Sequence, residues 1–332
     1  MENVIIGIHG LGNKPPKQLL ENWWKQAMYE GLKTNELDAY LPKFELVYWA
    51  DILYKKPLDP TEKDKSSPYF LEEKYVKASK DYSNENHETR EKVVDYLGIQ
   101  LNKVFLNDDL SLNYSYITDA IVHRYFRDLE AYYSEEAGFD EVSHNTKTRH
   151  LIRQRLISVL EKYRGYEIML VSHSMGSIIA YDVLKFHLVD IRINTFVTIG
   201  SPLGLPVIIS KIAAEQKHLN LEESQVSTPT AIYNQWFNFA DILDKVAFNF
   251  RLDDDFVENQ YGIKPVDYLV VNNYEINNIR NPHKSFGYLR TPEFSTKLSD
   301  FILTEKLTFF EKLIRKSKNL VNRLLHPIRS GE

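Results

Sequence analysis

The stretch IMLVSHSMGSIIAYDVL, residues 168–184, decides the reading of this chain. Four consecutive apolar residues, Ile168 to Val171, have the unbroken pattern of a strand buried on both faces of a parallel sheet. After a polar break, Ile178, Ile179, Val183 and Leu184 recur at helical spacing. The join between the two is a tight strand-to-helix turn, and Ser174 sits at its tip.

The same alternation runs outward in both directions. Val4 to Ile8 predict a buried strand, HGLGN a turn, KQLLENWWKQAMYEGLK a helix, and FELVYWAD, residues 44–51, a second strand. A helix is predicted from about 146 to 164, and the helix after Ser174 runs to about His187. INTFVTIG (193–200) is a strand, Ile208 to Lys217 a helix, IYNQWFNFAD a strand and VDYLVVNN (266–273) the last strand. SDFILTEK and the residues after it, from 299 to 325, predict one or two terminal helices. Strands that are near-continuous apolar runs, separated by helices, imply an α/β domain with a mostly parallel sheet covered on both faces. Functional groups are then expected at the carboxyl ends of the strands.

Three segments follow from this reading: a sheet domain over 1–300, an insertion within it over 54–145, and a tail over 301–332. The insertion opens with the polar, proline-bearing KKPLDPTEKDKSSP and continues as several predicted helices. Its aromatics, among them Tyr114, Tyr116, Tyr125, Phe126, Tyr132 and Tyr133, suit either a cap over the strand ends or a small core of the insertion itself.

Composition narrows the function. With 332 residues and 43% hydrophobic content the chain is long enough for a substantial core. Forty-one basic against 46 acidic residues, a formal charge of −5, give no global electrostatic case for a nucleic-acid partner. The absence of cysteine excludes disulfides, thiolate metal sites and a cysteine nucleophile. HETRE lacks the second histidine of a zinc-binding helix, so no metal is expected. GIHGLG places its glycines as G-x-x-G-x-G, which is not the dinucleotide spacing, and no cofactor is expected. The apolar run at the amino terminus is too short for a secretion signal and no segment approaches a membrane span, so a cytoplasmic location is expected.

A serine hydroxyl needs a base within hydrogen-bond reach, a group to orient that base, and donors for the oxyanion it generates. Ser172-His173-Ser174-Met175-Gly176 matches G-x-S-x-G with serine in place of the first glycine. Small residues are needed there because larger ones collide in the strained turn.

VSHSMG, with IHGLG upstream and FADILDKVA and NPHKSFGYL downstream, resembles the α/β-hydrolase superfamily in its lipase and esterase-like branch. The resemblance covers roughly 1–50 and 146–300 and implies the chain order serine, acid, histidine. Of the ten histidines, only His283 and His326 lie beyond an acid that could follow the IYNQWFNFAD strand. His283, after the last strand, is the expected base, with His326 left in the basic tail. The resemblance favours Asp244 as the acid, with Asp241 as the alternative or as a brace for the loop. Oxyanion donors are expected at Met175, by its position after Ser174, and at Leu11, by the resemblance. Gly10 and Gly176 permit the close turns, and His9 is expected to hold the loop or simply to pack.

Other residues at the same edge have plainer readings. Asp51 caps a turn or meets substrate, Ser201 is structural, Leu203 to Leu205 line the pocket, and Asp253 to Asp255 form a solvated loop. Residues 306–329 carry seven Lys or Arg and one Glu, with Phe310, Leu313, Ile314, Val321 and Leu324 at helical spacing. That stripe either docks on the domain or rests on an anionic membrane surface. The expected activity is hydrolysis of a small-molecule or lipid carboxylic ester. A non-catalytic interaction module, an acyltransferase and a thioesterase are the alternatives.

Overall fold

The chain enters through β1 (Asn3–Ile8), crosses by α1 (Lys17–Thr34) to β2 (Lys43–Val47) and makes a short helix α2 (Ala50–Leu53). The computed structural model describes residues 1–38, 40–78, 132–133, 142–187, 190–219, 225–247 and 249–306. Helix α3 (Val142–Lys162) leads to β3 (Glu167–His173), and α4 (Met175–Asp182) follows at once. Then come β4 (Ile193–Ile199), α5 (Pro206–His218), β5 (Ile232–Asp241), α6 (Leu252–Asp255) and β6 (Pro265–Val270). A two-stranded hairpin, β7 (Glu275–Ile276) and β8 (Ile279–Arg280), precedes α7 (Ser285–Tyr288) and α8 (Pro292–Lys306).

The six long strands form one sheet in the order β2-β1-β3-β4-β5-β6, and every neighbouring pair is parallel. All six therefore end at the same rim. From β1 the chain steps first to one side, to β2, and later to the other, to β3. The crevice between β1 and β3 is thus the switch point at which parallel α/β sheets bind their ligands.

Successive side chains of a strand face opposite sides, and two clusters show where each set goes. Val4, Ile6 and Ile8 join Ile152, Leu156 and Leu160 of α3 and Ile178 and Ile179 of α4. Ile5 joins Leu20, Trp24 and Met28 of α1 and Phe294 and Leu298 of α8 on the other face. Both faces being covered, the strands need no polar positions, and fully burying each Ile or Leu contributes roughly 1.5–3 kcal/mol.

Several boundaries differ from expectation. The strand predicted over 44–51 stops at Val47, because the Trp49 amide donates to His9 Nε2 at 3.1 Å and draws the chain out of the sheet into α2. The helix after Ser174 is α-helical only to Asp182 and closes as a π-helical turn over Val183–His187. The terminal helix begins earlier than 299, at Pro292, whose missing N–H costs nothing in a first turn.

Within the insertion, residues 54–78 form no regular helix, and the helices predicted beyond them, with Tyr114, Tyr116, Tyr125 and Phe126, lie outside the described residues. Tyr132 and Tyr133 are buried at the end of α4 remote from Ser174, where the Tyr132 hydroxyl donates to Asp182 at 2.8 Å. The Arg149 guanidinium stacks over both rings, at 5.0 and 5.1 Å. The basic stripe beyond Lys306, including His326, also lies outside the described residues. Among those residues no helix is long and apolar enough to cross a membrane.

Candidate active site

Ser174 joins β3 to α4 with φ 55° and ψ −130°, a region that non-glycine residues rarely enter and that stores roughly 1–3 kcal/mol of strain. Its neighbours hold it there. The Ser174 amide donates to the Ile199 carbonyl at 3.1 Å, and its carbonyl accepts from the Ser177 amide at 2.9 Å and the Ser177 hydroxyl at 2.6 Å. Ser177 Oγ in turn lies 2.7 Å from Ser201 Oγ, so Ser201 is structural, as expected.

Ser172, where the motif has glycine, is fully buried and donates its hydroxyl to the Val197 carbonyl at 3.0 Å. The side chain fits because the adjacent strand supplies an acceptor. No such room exists at Gly10 or Gly176. A Cβ on Gly176 would lie 2.7 Å from the Ile8 carbonyl oxygen, and one on Gly10 would lie 2.7 Å from Ser174 Cβ.

His283 reaches this turn from the loop after β6. Its Nε2 is 3.0 Å from Ser174 Oγ, and its Nδ1 is 2.8 and 3.0 Å from the two carboxylate oxygens of Asp244. A carboxylate only accepts, so Nδ1 carries the proton and Nε2 is left to accept from the serine hydroxyl. Asp244 is buried, and its carboxylate also accepts from the Val246 amide at 2.9 Å and the Tyr288 hydroxyl at 2.7 Å. These three side chains come from different loops at one rim of the sheet. Chemically the arrangement can take a proton from the hydroxyl and balance the resulting imidazolium with a buried negative charge.

Asp241, the alternative acid, turns to other partners. It accepts from the Arg280 guanidinium at 2.8 Å, the Asn272 amide at 2.6 Å and the Leu243 amide at 2.8 Å. It therefore ties the loop that carries Asp244 to the hairpin ahead of His283. The Asp241 amide donates to the Tyr288 hydroxyl at 2.9 Å, so one phenol links the two aspartates. Burial first, and Asp244 second, push that phenol well above its ordinary pKa.

The loop after β1 faces Ser174 from the other side. Met175 is buried as the first residue of α4, where amides have no intrahelical acceptor, and Leu11 packs against the cluster that contains Met175. The Lys14 ammonium donates to the carbonyls of Leu11 and Gly12 and fixes those peptide planes. His9 bonds both to this loop and to the chain leaving β2. Its Nδ1 donates to the Gly10 carbonyl at 2.8 Å, its Nε2 accepts from the Trp49 amide, and its ring stacks on Trp49 at 4.9 Å. Burial, reinforced by Lys14, keeps its pKa well below the ordinary histidine value, and the bond that Nε2 accepts requires that neutral ring.

Three contributors escaped the sequence reading. His173 precedes every acid that could follow the IYNQWFNFAD strand, which leaves it no expected role, yet its Nε2 donates to the His283 carbonyl at 2.7 Å. Burial, then the neighbouring His283 ring, hold His173 well below its ordinary pKa. Gly200, with φ +53°, ends β4 where a Cβ would stand 2.9 Å from Asp244 Oδ2. Tyr288 lies in the quoted NPHKSFGYL stretch, but nothing in spacing assigns it to Asp244. Gly200 alone carried a signal, as a glycine closing an apolar strand.

The remaining positions sort plainly. Asp51 sits in the first turn of α2 and pairs with Arg155 at 3.2 Å on the surface. Leu203 and Leu205 are buried in the cluster that contains Met175. Asp253 to Asp255 are not simply a solvated loop: the Asp253 amide donates to Asp267 at 3.0 Å, and burial, followed by Asp254, pushes the Asp255 carboxyl up to about 6. Among the described residues no group of three or more His, Asp or Glu side chains is arranged to hold a metal ion. No protein-family model matches the chain, and no curated protein matches it.

Proposed function

We propose that the protein is a serine hydrolase of the α/β-hydrolase type, acting on a carboxylic ester. The observation that carries this reading is the unbroken chain from Ser174 Oγ through the His283 ring to buried Asp244, with contacts of 3.0 and 2.8 Å. The parallel strand order, the strained turn at Ser174 and the sequence order serine, aspartate, histidine add support.

Ser174 Oγ attacks the acyl carbonyl while His283 Nε2 takes its proton. Asp244 holds the ring in the required tautomer and balances the imidazolium. The amides of Met175 and Leu11 receive the oxyanion. His283 then protonates the departing alkoxide, and water, activated by the same ring, hydrolyses the acyl-enzyme. Leu11, partly buried against the cluster that holds Met175, is the apolar side chain this reading sets beside the acyl group, a lipid acyl group included.

Hydrolysis of nitrophenyl esters of graded chain length tests the reading. Turnover is expected, with a fall of roughly 10⁴-fold or more in Ser174→Ala. Undiminished hydrolysis by that variant removes the mechanism.

A further inference from the structure

Residues 71–78 form neither helix nor strand, yet they are clasped at almost every position. Leu71 is buried. The Tyr274 hydroxyl donates to the Lys74 carbonyl at 2.6 Å, and Arg290 donates to the Val76 carbonyl at 2.7 Å. The Tyr75 hydroxyl and the Ala78 amide both donate to the Glu30 carboxylate of α1, at 2.6 and 2.7 Å. Earlier in the same segment, the Leu58 amide donates to the Lys14 carbonyl at 2.9 Å, and Asn13 donates to the Lys56 carbonyl. The segment thus straps the loop after β1 to the loop that carries His283.

One side chain of the strap does more than hold its own backbone. Glu73 accepts from Asn281 Nδ2 with one oxygen and from Lys284 Nζ, at 2.6 Å, with the other. Those residues bracket His283. The amide oxygen of Asn281 accepts from the His283 backbone N–H at 3.0 Å, and the Lys284 carbonyl is fixed by Asn272 Nδ2 at 2.8 Å. Burial alone would push the Glu73 carboxyl up, but Lys284 foremost, then Asn281 and Lys14, bring it below its ordinary value. The contact therefore joins opposite charges at neutral pH.

We infer that Glu73 is a positioning residue for the proposed base: through Asn281 and Lys284 it sets the backbone on both sides of His283, and so the distance from the imidazole to Ser174. The inference rests on the hydrolase reading of His283. It also gives the opening of the insertion a task at the site, far in sequence from the motif around Ser174. A displacement of an ångström in such a group lowers turnover steeply without altering substrate affinity.

Glu73→Ala and Glu73→Gln are compared with the unaltered protein by ester turnover, by the rate of fluorophosphonate labelling, and by hydrogen exchange of the amides over 281–285. In Glu73→Ala, kcat is expected to fall by about tenfold or more, with KM within about twofold and labelling slowed by a similar factor. Exchange over 281–285 should quicken while that of the central strands is unchanged. Glu73→Gln, which keeps an acceptor for Asn281 but loses the charge facing Lys284, should fall between the two, and it decides the matter if the alanine variant does not fold. Wild-type kcat and labelling in a folded Glu73 variant of an active protein overturn the inference. Unchanged exchange over 281–285 overturns it whether or not the protein turns over esters. Failure of the unaltered protein both to hydrolyse and to label instead removes the hydrolase reading.

Discussion

His173 and His283 lie with ring centroids 4.8 Å apart, and the Nε2 proton of the first is bonded to the backbone carbonyl of the second at 2.7 Å. The residue before Ser174 thus holds the main chain of the residue proposed to activate it. Replacing His173 with Ala removes one buried hydrogen bond of about 1 kcal/mol. On the proposed mechanism kcat falls roughly fivefold to tenfold with KM little changed. Steady-state kinetics on a nitrophenyl ester checks this, and an unchanged kcat removes His173 from the account.

Asp244 and Asp241 are both buried and three residues apart, yet they should respond differently to the same change. Asp244→Asn disturbs the group at the imidazole and is expected to lower kcat by roughly 10⁴-fold. Asp241→Asn leaves the ring contacts in place but loses a charged partner for Arg280, so its main effect is on stability, roughly 1–3 kcal/mol in a denaturant titration. Reversal of the two phenotypes would transfer the proposed acid to Asp241.

Gly200 has a positive φ and abuts Asp244. Gly200→Ala sets a methyl group against Asp244 Oδ2 and an L-residue in left-handed backbone, a change of roughly 1–2 kcal/mol from the backbone alone. Lower stability together with lower kcat is expected from denaturant and turnover measurements. A variant equal to wild type in both contradicts the close approach.

Acid should weaken the fold through His9. Its folded pKa is depressed, so as pH falls through about 6.5 the unfolded chain takes up a proton that the folded chain refuses. Stability is lost below that pH, at up to about 1.4 kcal/mol per pH unit. Asp255 and Asp267, raised to about 6 and about 7 chiefly by burial, act in the opposite sense between about pH 4 and 7. The test is therefore a difference: stability curves of wild type and His9→Gln over pH 5–8 should diverge in slope below about 6.5. Parallel curves would show that His9 titrates equally in both states.

How much could be read in advance depended on whether the signal was local. Ile168 to Val171 and the apolar residues after Ser174 declare a strand and a helix because burial on both faces of a parallel sheet leaves no polar positions. Ser174 stands out at the break between them, whereas Asp244 and His283 could be named because a resemblance supplied an order for residues that periodicity leaves unrelated. The distances between them, and the partners that turn Asp241 away from the ring, are set by loops whose contacts no local pattern states. Glu73, His173 and Tyr288 act through single contacts with residues distant in sequence, and no local pattern marks such contacts. The strand at Phe44 ended early for the same reason, since the Trp49 amide that breaks it answers to His9, forty positions away.

Intact-mass analysis after reaction with a fluorophosphonate tests the central claim most directly, because the probe bonds to an activated serine oxygen as fluoride departs. The account predicts one adduct per chain, located on the peptide that contains Ser174, absent in Ser174→Ala and strongly slowed in His283→Ala. A folded wild-type protein that acquires no adduct, or a Ser174→Ala variant that still acquires one, would contradict it.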